Sequence, residues 1–119
     1  MQRDWNLIRH ILLKVESLSA GETMDAIQID NFDAPTIAEH VRILLNKGLL
    51  AGKMYDTNCG STYLITGMSW DGHDFLENAK NDTVWKKVMS ESKARGTSMT
   101  MVVLNGLLTK AAQKYAGLD

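Results

Sequence analysis

The sequence is poor in cysteine, proline and long apolar runs, and each scarcity excludes a class of protein. Its single cysteine, Cys59, has no partner for an internal disulfide, which argues against a disulfide-stapled secreted domain and fits a reducing cytosol. No apolar run approaches the roughly 20 residues that a membrane helix needs, and no signal peptide precedes Trp5. One proline and seven methionines favour a mostly helical chain. We therefore expect a cytoplasmic globular protein.

Charge is almost balanced over the chain but unevenly distributed along it. The formal net charge is -1, yet residues 1–79 carry six Lys and Arg against eleven Asp and Glu, whereas residues 80–119 carry seven against three. Proteins bind nucleic acid largely by neutralising phosphates with Lys and Arg. The acidic excess in the first 79 residues therefore counts against nucleic-acid binding there, although the charge on one helix face can differ from this sum.

The most informative stretch runs from Asp33 to Gly52 and predicts a capped helix that leads into a strand. The Asp33 carboxylate can accept from the free N–H groups of the first turn, where Pro35 costs no hydrogen bond. Gly48 can adopt the left-handed conformation that ends a helix. Between these signals, apolar residues recur at helical spacing, at Ile37, Val41, Leu44 and Leu45.

The elements on either side of this helix predict a helix-turn-helix followed by a β-hairpin. Arg3–Leu18 has the apolar stripe of an amphipathic helix, and Ala26–Asp30 alternates like a short strand. A full first helix of the motif has no room before Asp33, so either it is reduced to a turn or the strand prediction is wrong. Leu49–Tyr55 and Thr62–Thr66, separated by six turn-forming residues, predict the hairpin.

Helical segments fill the rest of the chain. Ser69 is a candidate N-cap for the first of them, and Asn81 marks the start of the second, which ends at Gly96. Thr97 or Ser98 is expected to cap the last helix. We predict one domain over residues 1–119, with a core in residues 1–79 and a helical extension in residues 80–119.

Three segments resemble a family of small bacterial and prophage winged-helix proteins catalogued as a domain of unknown function. They read RDWNLIRHILL, EHVRILLNKGLL and LITGMSWDGHDFLENAKNDTVWKKV, and the run from Trp70 to Leu76 is the most specific part. The resemblance implies an α+β fold, a winged helix (winged helix-turn-helix) with additional C-terminal helices. It implies no biochemical activity and supplies no catalytic residues.

The central helix is a candidate reading helix for DNA, because its outer face carries polar residues at 100° per residue. Arg42 and Lys47 could hold phosphates, and Lys53 on the hairpin could reach the DNA backbone or minor groove. Ile43 could pack on a thymine methyl group. The residues expected to contact base edges are Thr36, His40 and Asn46. The alternative is an ordinary solvated face, since Glu39 lies in its middle and no arginine does.

The last helix is a candidate dimer interface. Its apolar stripe is wider than packing on a small core requires, and a Met-bearing face adapts to a partner. The stripe comprises Met101, Leu104, Leu108, Ala111 and Tyr115. The alternative is that this stripe closes the core against the N-terminal helix.

No residue pattern points to catalysis, a cofactor or a metal site. His10, His40 and His73 fall on separate predicted helices without the spacing of metal ligands. Cys59 has no base nearby in sequence and fits a hairpin-tip residue better than a nucleophile. We expect a non-enzymatic protein and carry two hypotheses. One is a DNA-binding transcriptional regulator; the other is a protein–protein interaction module without nucleic-acid binding.

Overall fold

The structure is a computed structural model that describes residues 1–96 and 99–115. Within these residues the chain is α+β, with five helices and one two-stranded antiparallel sheet. It divides into two compact units, Met1–His73 and Asp74–Asp119. The elements are α1 (Trp5–Glu16), α2 (Ala34–Lys47), β1 (Leu50–Thr57), β2 (Gly60–Met68), α3 (Trp70–Ala79), α4 (Asp82–Arg95) and α5 (Met101–Tyr115).

Helix α1 provides much of the core of the first unit. Asp4 is its N-cap, since a carboxylate oxygen of Asp4 accepts from the Leu7 N–H at 3.0 Å. The helix ends at Glu16, two residues before the predicted Leu18. Full burial of a Leu or Ile side chain contributes about 1.5–3 kcal/mol. The buried apolar residues of α1 are Trp5, Leu7, Ile8, Ile11, Leu12 and Val15.

Helix α2 confirms the capping signals of the sequence. The Asp33 carboxylate accepts from the Thr36 N–H at 2.9 Å, and hydrogen bonding from the Thr36 side chain and then from this N–H lowers the pKa of Asp33. Pro35 lies in the first turn, and Gly48 ends the helix with a left-handed φ of 84°. The buried face differs from the predicted one at its edges, because Leu45 is only half-buried while Ala38 is buried.

The segment between α1 and α2 corrects the strand predicted over Ala26–Asp30. The sheet contact lies upstream, at Met24, whose N–H and carbonyl pair with Ile65 at 2.9 and 2.8 Å. Ile27 is buried, and its N–H donates to the Tyr63 hydroxyl at 2.9 Å. No helix forms between α1 and α2, all of whose intervening residues are described. The first helix of the expected motif is therefore reduced to a turn.

Strands β1 and β2 form the predicted hairpin with a tighter turn than expected. Pairing continues to Thr57 and Gly60, so the turn is two residues long rather than six and carries the exposed Cys59 at its tip. The Thr57 hydroxyl donates to the Gly60 carbonyl at 2.9 Å and stabilises this turn. A bulge at Ala51/Gly52 requires glycine, since Gly52 has a φ of 149° and an added Cβ would lie 2.1 Å from the Leu64 carbonyl oxygen.

Ser69 and Gly72 connect the hairpin to α3. The Ser69 N–H and hydroxyl both donate to the Leu49 carbonyl, at 3.0 and 3.1 Å, and the same hydroxyl accepts from the Gly72 N–H at 3.0 Å. Ser69 is therefore the N-cap, as predicted. A Cβ on Gly72 would lie 2.2 Å from the Leu49 carbonyl oxygen, which explains the glycine in the run from Trp70 to Leu76.

The second unit packs α5 against α4. Asn81 caps α4 by accepting from the Val84 N–H at 3.0 Å, and Gly96 ends this helix, as the sequence predicted. The predicted caps of α5, Thr97 and Ser98, lie outside the described residues. The hydroxyl of Thr100 accepts from the Val103 N–H at 3.2 Å at the start of α5.

Among the helices of residues 1–96 and 99–115, none is both long and apolar enough to cross a membrane.

Candidate functional site

The outer face of α2 meets the hairpin through a group of charged and polar side chains that we call the Arg42 cluster: Glu39, Arg42, Asp56 and Ser61. Arg42 Nη1 donates to Asp56 Oδ2 at 3.1 Å, and Arg42 Nη2 donates to Asp56 Oδ1 at 2.5 Å. Arg42 Nη2 also donates to Ser61 Oγ at 3.0 Å, and Ser61 Oγ donates to Asp56 Oδ1 at 2.6 Å. Arg42 Nε donates to Glu39 at 3.3 Å. The Nη1 and Nη2 atoms thus donate to the two oxygens of one carboxylate, which is the bidentate geometry typical of an Arg–Asp pair.

Both members of the central pair are charged at neutral pH. Hydrogen bonds from Arg42 and Ser61 lower the pKa of Asp56 to about 2, and the hydrogen bond to Asp56 raises the pKa of Arg42 above its usual range. The side chains of Arg42 and Asp56 are 27% and 60% exposed, so water screens their attraction and the pair adds little to stability. The cluster therefore orients the Arg42 side chain but contributes little energy to keep it in that orientation.

His40 lies in the interior, so the prediction that it shares the outer face of α2 is wrong. Its side chain has no exposed surface. Nε2 accepts from the Asp4 N–H at 2.9 Å, and Nδ1 lies 2.8 Å from the Thr36 carbonyl oxygen. A backbone N–H can only donate, which makes Nε2 the acceptor and assigns the ring proton to Nδ1. Both nitrogens are used internally, and His40 cannot contact a base edge.

The other residues proposed to contact DNA lie on two separate surfaces. Asn46 and Lys47 are exposed at the end of α2, and Thr36 and Ile43 are half-buried along it. Lys53 is exposed on β1, three residues before Asp56. Side chains alternate along a strand, so Lys53 points away from the face of the hairpin that meets Arg42. The structure therefore joins Arg42 to the hairpin but does not bring Lys53 to the same surface.

Sequence reasoning did not join Asp56 and Ser61 to Arg42. Both fell within the six residues assigned to a hairpin loop, where Asp and Ser are ordinary turn formers. Their pairing across the strands, Asp56 opposite Ser61, orders both side chains toward α2. A longer strand prediction would have paired these two residues, but no sequence signal places them beside Arg42.

The exposed Trp70 adds an apolar group to the first unit. Its side chain is 82% exposed although tryptophan is normally well buried. It follows Ser69, which binds the Leu49 carbonyl just beyond the end of α2. Lys47 and Trp70 therefore belong to neighbouring parts of the backbone.

The stripe predicted on α5 is divided between core and surface. Leu104 and Leu108 are fully buried within the chain itself. Tyr115 is 69% exposed, and Met101 and Ala111 are half-buried. The prediction of a continuous apolar interface face is therefore wrong for its two leucines, which belong to the core.

Comparisons with known proteins match the chain to one protein family and to one relative. A family model described as "Hypothetical protein (DUF2513)" matches residues 2–98. An uncharacterized protein of Haemophilus influenzae is 32% identical over 102 residues, which cover 85% of this chain and 86% of the relative. No solved structure matches the chain. The expected resemblance to a family of unknown function is confirmed.

Proposed function

We propose that this chain, which belongs to the DUF2513 family of hypothetical proteins, is a winged-helix, DNA-binding transcriptional regulator of bacterial or prophage origin. The order of elements in the first unit supports this proposal. A helix, a strand contact at Met24, the helix α2 and a hairpin follow one another in the order of a winged helix-turn-helix whose first motif helix is reduced to a turn. In this fold α2 is the reading helix and the hairpin is the wing, and the second unit supplies the additional C-terminal helices.

The observation that carries the proposal is the position of Arg42, which lies on the reading helix and binds a residue of the wing. A guanidinium fork that binds a carboxylate through both Nη atoms also matches the oxygens of a phosphate. Lys47 is a second phosphate contact at the exposed end of α2, and Asn46 beside it is the candidate for a base edge. Thr36 and Ile43 extend this surface along the helix, whereas the buried His40 has no part in it.

The proposal is tested by fluorescence anisotropy with random-sequence duplexes and with fragments of the host genome at low salt. We expect measurable binding by the wild-type protein. Lys47→Ala should weaken this binding and reduce the slope of log affinity against log salt concentration by about 1, because one phosphate contact is lost. Lys14→Ala is the matched control, because it removes one exposed lysine from α1 in the same unit. Absence of binding by the wild-type protein at the lowest salt would contradict the proposal.

A protein–protein interaction module without nucleic-acid binding is the second candidate, and the charge of the surface favours it. The first unit has six Lys and Arg against nine Asp and Glu, counted over residues 1–73. Glu39 lies on the outer face of α2, and Asp56 compensates the charge of Arg42. The exposed Trp70 is an anchor of the type that dominates protein interfaces. Undetectable DNA binding, together with one stoichiometric protein partner that Trp70→Ala loses, would favour this candidate.

Dimerisation through α5 is also a proposal, with a revised interface. Leu104 and Leu108 are used in the chain's own core, so a second copy would bind the exposed apolar side chains Val102 and Val103 at the start of α5. Sedimentation equilibrium tests this, and we expect a dimer that Val102→Glu dissociates. A monomer at high concentration would contradict the proposal.

A further inference from the structure

We infer that the Arg42 guanidinium and the Ser61 hydroxyl form a binding site for a nucleic-acid phosphate, and that the Asp56 carboxylate occupies this site in the free protein. The inference deepens the proposed function and rests on it. It assigns to Asp56 the role of an internal competitor, which has to leave Arg42 before the reading helix can hold the DNA backbone.

The hydrogen bonds define the site. Two Nη atoms of Arg42 and the Ser61 hydroxyl converge on the two carboxylate oxygens of Asp56. A phosphodiester also presents two non-bridging oxygens, which accept the same pair of parallel N–H bonds. Asp56 therefore shows where an anion sits between α2 and the hairpin. The site was not identifiable from the sequence, because it combines one helix residue with one strand residue.

Glu39 keeps the guanidinium aimed during such an exchange. Its carboxylate accepts from Nε, at 3.3 Å, and leaves Nη1 and Nη2 for another anion. Glu39 is three residues before Arg42 on the same helix, so this contact does not depend on the hairpin. We assign Glu39 as a positioning residue: it orients the arginine but also adds a negative charge to the surface.

The exposure of the pair allows an external anion to compete. Asp56 is 60% exposed, and ion pairs in contact with water are screened and easily exchanged. With Asp56 in place, the one positive charge of the cluster is opposed by two negative ones, from Asp56 and Glu39. The surface therefore repels phosphates until Asp56 turns away, and removal of its charge should strengthen DNA binding.

The test compares the salt dependence of duplex affinity for the wild-type protein, Asp56→Asn, Arg42→Ala and the double variant. One additional phosphate contact corresponds to about tenfold tighter binding at ~0.1 M salt. It also makes the slope of log affinity against log salt concentration steeper by about 0.9. We expect this gain in Asp56→Asn and its loss in the double variant. Asp30→Asn is the matched control, because it removes an exposed carboxylate of the same unit that lines a depression with His10 and Lys14 rather than the Arg42 cluster. A gain equal to that of Asp30→Asn, or one that persists without Arg42, would overturn the inference.

A second measurement separates this inference from the proposed function. Inorganic phosphate is added to Asp56→Asn while the Arg42 side-chain signal is followed by NMR. We expect a saturable shift that is weaker when Ser61 is also changed to Ala, and a shift independent of Ser61 or no shift would overturn the inference. If phosphate binds but no variant binds duplex DNA, the cluster is a binding site for a small anion, and the DNA-binding proposal fails. Thermal unfolding of each variant confirms that it is folded.

Discussion

The backbone N–H of Asp4 donates a hydrogen bond of 2.9 Å to Nε2 of His40 and so fixes the start of α1 to the buried side of α2. The same Asp4 caps α1 through its carboxylate, which accepts from the Leu7 N–H. His40 in turn uses its Nδ1 proton on the Thr36 carbonyl. A residue that looked like a DNA contact is thus a structural link between two helices.

Replacement of His40 by alanine should destabilise the protein strongly. It leaves the half-buried Asp4 N–H without its partner and removes a fully buried side chain, and a donor left unpaired in the interior costs about 1–3 kcal/mol. Urea unfolding measures the free energy of unfolding of each variant. His73→Ala is the control, because His73 is exposed on α3 and its loss should change stability by less than about 0.5 kcal/mol. Equal effects of the two substitutions would contradict the assignment.

Two glycines on either side of Ser69 should respond differently to alanine. A Cβ on Gly72 would lie 2.2 Å from the Leu49 carbonyl oxygen and 2.6 Å from a Met68 side-chain carbon, whereas nothing lies within 4 Å of that position on Gly67. We expect Gly72→Ala to lower the free energy of unfolding by about 1–3 kcal/mol or more, as overpacking does. Gly67→Ala should be tolerated. Thermal unfolding compares the stabilities of the two variants. A Gly72→Ala variant as stable as the wild-type protein would contradict the packing of α3 on Leu49.

Gly106 offers a stabilising substitution. It lies within α5, and a Cβ there would meet nothing within 4 Å. Alanine is favoured over glycine in a helix interior by about 0.5–1 kcal/mol, so Gly106→Ala should raise the melting temperature. Gly96→Ala is the contrasting variant, because Gly96 ends α4 with a left-handed φ of 64° and alanine is strained there. A loss of stability in Gly106→Ala would reveal a contact at this exposed face.

The titration of Asp56 should depend on Arg42. Its pKa lies at about 2 in the folded protein, below the ordinary 3.8, so the pair stabilises the fold above pH 3.8 and loses this effect as the pH falls toward 2. Arg42→Ala should raise the pKa of Asp56 toward 3.8, which NMR of its carboxyl carbon detects. The stability difference between wild type and Arg42→Ala should shrink over the same pH range. An unshifted pKa in Arg42→Ala would show that Arg42 is not its cause.

Local signals predicted α2 and the hairpin well. The caps Asp33 and Gly48, the N-cap Ser69 and the helix break at Asn81 act through short-range hydrogen bonds and backbone conformation, which a sequence displays directly. Met24 was missed because one bridging residue has no alternating pattern. The turn of the hairpin was overestimated because turn-forming residues such as Asp56 also pair in strands.

The candidate site was less predictable because it depends on neighbours that are distant in sequence. Helical periodicity placed His40 outside, but α1 covers that side of α2 and its Asp4 N–H needs an acceptor. Arg42 was correctly placed toward the outer face, yet its partner lies 14 residues away on a hairpin whose packing on α2 no local pattern encodes. Likewise, the division of the α5 stripe into buried Leu104 and exposed Tyr115 depends on where α4 lies.

The most direct test of the phosphate site uses the wild-type protein at neutral pH. Duplex DNA is titrated while NMR follows the Arg42 guanidinium and the Asp56 carboxyl carbon together. We expect both signals to move with the same affinity, the Asp56 signal toward its position in Arg42→Ala, because a phosphate replaces the carboxylate on the arginine. DNA binding that leaves both signals unchanged would contradict the account.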